Sequence, residues 1–199
     1  MYAGLIKAVP SKIPAASHGS MNNIMMGGTH PETGEGWAFY ETIGGGYGGR
    51  FGADGVDGIQ VNMTNTLNTP IEVIEHYYPI MFETYAFRCG SGGCGQWRGG
   101  VGLERAFTAK APVEVVLLGE RRKVRPWGYN GGLPGESSEY SVRRENGRHL
   151  ELKSKDSTVL ASGDTLVIRT AGGGGYLNPK ERALPLIERD QENEFIEKD

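Results

Sequence analysis

The sequence predicts an α+β fold: a glycine-rich N-terminal part with short helices, then a β-rich C-terminal half of sandwich or barrel-like form. Three observations predict it. From Ile80 onward, short runs of β-branched and aromatic residues recur, most of them separated by glycine, proline or asparagine turns. Helical stretches are few, short and bounded by proline. Glycine makes up 32 of 199 residues, about twice the roughly 7% of an average chain. The glycines cluster at residues 44–49, 90–102 and 172–175, with apolar segments between. That alternation marks tight turns and backbone-lined surfaces of a packed protein rather than a flexible linker.

The elements follow in order. Leu5, Ile6 and Val9 give Met1 to Val9 an apolar stripe, and Pro10 and Pro14 stop any helix there. The segment reads as the end of an element whose beginning is elsewhere. Ala15 to Gly28 reads as a polar, methionine-containing loop. The turn chemistry of Pro31 to Gly36 leads into an aromatic strand, Trp37 to Ile43. After a second loop, Gly44 to Gly58, a short helix is expected from Ile71 to about His76, with Thr69 as N-cap, Pro70 in the first turn and Pro79 closing it. Strands are expected at Met81 to Arg88, Gly102 to Ala109, Val113 to Leu118, Glu139 to Arg144, His149 to Leu152 and Asp164 to Thr170. Asn146-Gly147 between two of them predicts a hairpin with a type I′ turn. Residues 1–179 are read as one region. Residues 180–199 form a charged tail, either a short surface helix after Pro185 or a disordered end.

Composition excludes some functions. A net charge of −3 gives no electrostatic case for nucleic acid or an anionic membrane. No apolar run approaches the ~20 residues of a membrane helix, and the first residues lack the apolar core of a signal peptide. Two cysteines make no disulfide framework, so a reducing cytoplasm is the expected compartment.

Several motifs invite chemistry. Gly44-Gly45-Gly46-Tyr47-Gly48-Gly49-Arg50 resembles a phosphate cradle, but it lacks the Gly-Lys-Ser/Thr ending and a βαβ frame. A backbone-lined turn near a substrate or a subunit fits it better. Asp54-Gly55-Val56-Asp57-Gly58 offers either hard-cation oxygens or plain turns. Cys89 and Cys94 lack the remaining ligands of a zinc site and read as free structural thiols. Among the four histidines, His18 stands out because Ser17, Ser20, Asn22 and Asn23 surround it. It is either a functional imidazole or one satisfied by loop hydrogen bonds. Glu75-His76 is a weaker pair of the same kind. Arg121, after the apolar run Val113 to Leu118, either clamps an anion or belongs to a solvated basic turn. From these polar loops the expected catalytic groups are Glu41, Asp57 and His18, with Asn22, Asn23 and Arg121 contacting substrate.

In order, these segments resemble the C-terminal portion of the hydantoinase B/oxoprolinase family, which includes N-methylhydantoinase B, 5-oxoprolinase and the α subunits of acetone carboxylases. The resemblance is carried by Pro14 to Asn23, Tyr40 to Gly48, Asp54 to Gly58, Asn62 to Pro70 and Glu72 to Pro79. It continues through Gly90-Ser91-Gly92-Gly93, Arg98-Gly99-Gly100, Glu120-Arg121-Arg122, Pro126-Trp127-Gly128, Gly131-Gly132, Pro134-Gly135 and Gly172 to Gly175. It implies one part of an ATP-dependent enzyme that opens hydantoin-, oxoproline- or lactam-like rings. The partners it implies are a hydantoinase A-type subunit and a separate N-terminal hydantoinase B half, which carries the family's His/Asp metal motifs. ATP and a divalent metal are implied for the whole complex, and no cofactor for this chain alone. A split gene and a truncated chain would look alike. The alternatives are a subunit of a ketone carboxylase and a non-catalytic assembly module.

Overall fold

The computed structural model describes residues 2–19 and 21–197. Ser20, within the segment that singles out His18, and the last two residues of the charged tail lie outside them. The order is α1 (Tyr2–Ala8), β1 (Asn22–Thr29), β2 (Gly36–Ile43), α2 (Ile71–Tyr77), β3 (Ile80–Arg88), β4 (Gly102–Ala109), β5 (Val113–Leu118), β6 (Glu139–Arg143), β7 (His149–Glu151), β8 (Lys155–Leu160), β9 (Thr165–Arg169) and α3 (Leu184–Glu192). The strands form two antiparallel sheets, β2-β1-β5-β8 and β3-β4-β9-β6-β7. Of the two forms the sequence allowed, the open sheets fit a sandwich and not a closed barrel.

Period-two alternation builds the core. In β5, Val113, Val115 and Leu117 are buried while Glu114, Val116 and Leu118 are exposed. They join Ile24, Met26 and Phe39 from the same sheet, and Phe107, Val142, Leu166 and Ile168 from the other, in one cluster. A charged pair lies among these apolar side chains. Glu41 on β2 accepts a hydrogen bond from Arg105 on β4, and both are buried. The pair ties one sheet to the other. The Arg105 guanidinium also stacks 4.1 Å from the Tyr85 ring centroid.

Four local expectations differ from the structure. The segment read as a loop after Ala15 contains β1, whose neighbours β2 and β5 pair with it on both sides. Asparagines and glycines weaken its β signal, but burial still alternates from Asn22 through Ile24 to Met26. The strand β8, Lys155–Leu160, carries too much charge and hydroxyl to stand out as apolar. Thr69 does not cap α2: Pro70 holds the cap position without a side-chain bond, and the Thr69 N–H donates to Glu41 Oε1 at 2.7 Å. The β6–β7 hairpin turn has positive φ at Gly147 (81°) and not at Asn146, so it is not type I′, which requires both.

The glycine clusters form a second body, held largely by backbone hydrogen bonds. The N–H groups of Gly173, Gly174 and Gly175 donate in turn to Gly100 O at 2.8 Å, Ala16 O at 2.8 Å and Leu133 O at 2.9 Å. Their carbonyls accept, in the same order, from Gly93, Gly49 and Tyr129. A strand within a sheet bonds to two neighbours, whereas these three successive residues bond to partners as far apart in sequence as Ala16, Gly100 and Leu133. The packing leaves no room for side chains. A methyl group on Gly46 would lie 1.9 Å from the Gly100 oxygen, and one on Gly173 would lie 2.0 Å from the Tyr47 oxygen.

The charged tail packs as well. Arg182 donates to Asp54 at 2.7 and 3.0 Å and to Asp190, which is buried in α3, at 2.5 Å. Arg98 lies 4.7 Å over the Phe195 ring.

Candidate functional site

One polar cluster occupies the junction between the glycine body and the ends of the two sheets. His18 is fully buried there. Its N–H donates to Gly46 O at 2.9 Å, and the ring lies so close to Gly45 that a Cβ on that glycine would be 2.5 Å from His18 Cγ. Asn22, the first residue of β1, faces inward and places its Nδ2 at 3.2 Å from His18 Nδ1. Its Oδ1 accepts from the backbone N–H of Glu120 at 3.1 Å and from the Tyr140 hydroxyl at 2.9 Å. Tyr140 comes from β6, so both sheets contribute to the cluster.

Backbone strain marks the same place. Gly19 (φ 121°), Asn62 (φ 58°) and Arg121 (φ 59°) all adopt the left-handed region. The Asn62 side chain donates to Gly19 O at 3.1 Å. Such residues persist only where their surroundings hold them, and they concentrate at functional sites.

Electrostatics keeps the cluster uncharged at its centre. Burial is the main cause that lowers the His18 pKa to about 4; the Ile59 backbone opposes it and the Arg121 charge reinforces it. The imidazole is therefore neutral at pH 7. Burial pushes Tyr140 up to about 12, so its hydroxyl stays a donor. Arg121 is half-buried, and its Nε has no hydrogen-bond partner among the described residues.

Of the residues expected from sequence, His18, Asn22 and Arg121 meet here. Asn23 lies on the opposite face of β1, accepting from Tyr40 at 3.1 Å and Thr42 at 3.3 Å. Glu41 is in the inter-sheet ion pair with Arg105. Asp57 accepts from Arg98 Nη1 at 2.8 Å and from the Val101 N–H at 2.7 Å. Both carboxylates thus face arginines rather than the imidazole. Glu120 joins the cluster from the Glu120-Arg121-Arg122 motif, in which only Arg121 was expected to act, and Tyr140 joins it without any motif to announce it.

The arrangement offers a neutral imidazole, an amide, a phenol and a guanidinium. His18, Asn22 and Tyr140 are fully buried and hydrogen-bonded to one another, which leaves the half-buried Arg121 as the group able to meet an anion. Together these groups do not form a carboxylate–histidine proton relay. Among the described residues, no group of three or more His, Cys, Asp or Glu side chains is placed to hold a metal ion. His18 itself has an amide and no second ligand beside it, so the donor set does not fit a divalent ion. The cradle-like glycines cannot grip a phosphate either. The N–H groups of Gly45, Gly46, Tyr47 and Gly49 already donate to Ile59, Ala171, Val56 and Gly174. Cys89 and Cys94 are free, and the Cys89 thiol is pushed up by desolvation, then by Glu197 and Glu194. No helix among the described residues is long and apolar enough to cross a membrane.

Residues 1–179 match the family model described as Hydantoinase B/oxoprolinase. An uncharacterized protein of Methanocaldococcus jannaschii is 48% identical over 196 residues, covering 98% of this chain and 34% of that protein. The 5-oxoprolinase PfmaA of Pestalotiopsis fici is 38% identical over 192 residues, 92% of this chain and 15% of its own length. The crystal structure of the ATP-dependent caprolactamase from Pseudomonas jessenii superposes with a TM-score of 0.82 at 20% identity, covering 98% of this chain and 35% of that one. The chain therefore spans about a third or less of each of these proteins.

Proposed function

The chain belongs to the hydantoinase B/oxoprolinase family, and from that premise we propose that it is one part of an ATP-dependent assembly that opens cyclic amides. The rings are of the hydantoin, oxoproline or lactam class. The companions are an N-terminal B-type half and a hydantoinase A-type subunit, and the chain is not active alone. The observation that carries this reading is one of coverage: 98% of this chain aligns with only 34% of a relative that is 48% identical. A 5-oxoprolinase among the relatives supports the substrate class.

The chemistry follows from the substrate. An amide carbonyl is a poor electrophile, and ATP-dependent phosphorylation of its oxygen creates a good leaving group for attack by water. In this proposal ATP and a divalent ion belong to the companions. This chain contributes a rigid polar wall: Arg121 near the anion, and His18 with Asn22 as buried groups that hold the wall in place. Glu41 and Asp57 hold the frame through their arginines.

Co-expression with both companions tests it. ATP-dependent opening of 5-oxoproline, hydantoin or caprolactam is expected, and it should vanish when this chain is omitted. Activity that persists without the chain overturns the proposal. Bicarbonate-dependent ATP consumption with a ketone, and no ring opening, replaces it with the carboxylase reading.

A further inference from the structure

His18 is the residue that sequence reasoning would most readily make a general base. The hydrogen-bond chain around it assigns the opposite polarity. The argument starts from a donor that cannot be anything else, the backbone N–H of Glu120. It points at Asn22 Oδ1 from 3.1 Å, which fixes that atom as the carbonyl oxygen and so fixes the amide orientation. The Tyr140 hydroxyl lies 2.9 Å from the same oxygen and 3.2 Å from the Glu120 carbonyl. Both are acceptors, so the tyrosine is a donor as well. Asn22 Nδ2 is then the atom 3.2 Å from His18 Nδ1, with its second proton directed toward the Ile43 carbonyl at 3.5 Å. An NH2 group has no lone pair to offer, so His18 Nδ1 must accept.

We infer that Asn22, held by Glu120 and Tyr140, locks His18 as the neutral tautomer with its proton on Nε2. The imidazole is then a fixed hydrogen-bond donor and not a proton acceptor. Protonating Nδ1 would set two N–H groups against each other. Turning the Asn22 amide to relieve that would leave the Glu120 N–H facing an NH2 group. The charges around the ring agree. Arg121 disfavours an imidazolium, and Tyr140 stays neutral. The Glu120 side chain packs against Gly19, where a Cβ would lie 2.3 Å from Oε2. His18 Nε2 is buried and, among the described residues, makes no side-chain hydrogen bond; the hydrogen-bonding group that acts on the ring from the backbone is Ile59. Its N–H is enclosed within the protein, since His18 is fully buried. Asn22 and Tyr140 are thus positioning residues that act through His18. This assignment deepens the proposed site and rests on that reading for its functional meaning.

Long-range proton–nitrogen correlation spectra of the full chain, labelled at its histidine ring nitrogens, read the tautomer directly. The exposed His76 and His149 supply reference signals. From pH 8 to pH 5, His18 is expected to keep the pattern of a protonated Nε2 and a bare Nδ1, without a change. Asn22→Asp turns the neighbouring donor into an acceptor and should move the proton to Nδ1 and raise the titration midpoint. A wild-type chain with the proton on Nδ1, or a midpoint near the ordinary value of about 6.5, overturns the inference. So does an Asn22→Asp variant that folds and keeps the wild-type pattern. The spectra need no substrate or companion, so failure of the ring-opening proposal would leave this result standing, and the reverse also holds.

Discussion

The two bodies of this molecule are packed by opposite means. Between the sheets, side chains fill the space: Phe107, Leu166 and Ile168 are fully buried, and one ion pair, Glu41 with Arg105, crosses the layer. In the glycine body the backbone itself is the packing unit, and carbonyls stand where a β-carbon would be. A side-chain core tolerates some repacking because rotamers can adjust. A backbone core has nothing to adjust. The site sits where the two meet, so His18 is fixed from one side by Gly45 and Gly46 and from the other by Asn22 of β1.

The largest effect should come from the body with no slack. Gly173→Ala puts a methyl group 2.0 Å from the Tyr47 oxygen and 2.3 Å from the Tyr47 carbonyl carbon. A destabilisation above about 4–5 kcal/mol, in the exceptional range for one substitution, should appear as loss of the cooperative melting transition. In the sheet body, Glu41→Leu leaves the Arg105 guanidinium buried without its counter-charge. A cost of about 3–5 kcal/mol is expected in denaturant unfolding, and the double change with Arg105→Met should recover most of it. That recovery is what separates an adjustable core from a rigid one.

Acid probes the junction. His18 has a folded pKa of about 4, below the unfolded value of about 6.5. The unfolded chain therefore binds the proton first. The stabilisation from keeping the ring neutral is complete above pH ~6.5 and is lost as pH falls toward ~4, about 3 kcal/mol in all. A second loss should follow at lower pH. Burial works to raise Asp54, but its hydrogen bonds and charge contact with Arg182 outweigh that and hold it below the usual carboxylate range. Unfolding free energies across the pH range should show both stages, and His18→Gln should remove the first. The smallest effect is expected at Gly36 in β2, where a Cβ would meet nothing within 4 Å and φ is not positive. Gly36→Ala should change stability by less than about 0.5 kcal/mol, which would show that glycine matters here by position and not by number.

The same contrast explains what the sequence could disclose. β5 was legible because Val113, Val115 and Leu117 alternate with Glu114 and exposed neighbours. α2 was legible because Pro70 starts it. β1 was not, since its alternation is written partly in asparagine and glycine, and β8 hid behind Lys155 and Asp156. The glycine clusters announced closely approaching backbone, but a residue without a side chain cannot say which segment approaches it. The meeting of Ala16, Gly49, Gly93, Gly100 and Leu133 around residues 173–175 is therefore invisible in one dimension. For the candidate site, the polar surroundings of His18 pointed to the loop that carries the buried cluster. Tyr140 carried no signal, because a tyrosine within a strand normally reads as sheet packing.

Amide hydrogen exchange tests most directly whether the glycine segments are a folded core that frames the site. The account predicts that the N–H groups of Gly173, Gly174 and Gly175 exchange as slowly as that of Phe107 in β4, opening only with global unfolding. Exchange at those glycines within the time of an ordinary surface loop, while Phe107 stays protected, would contradict it.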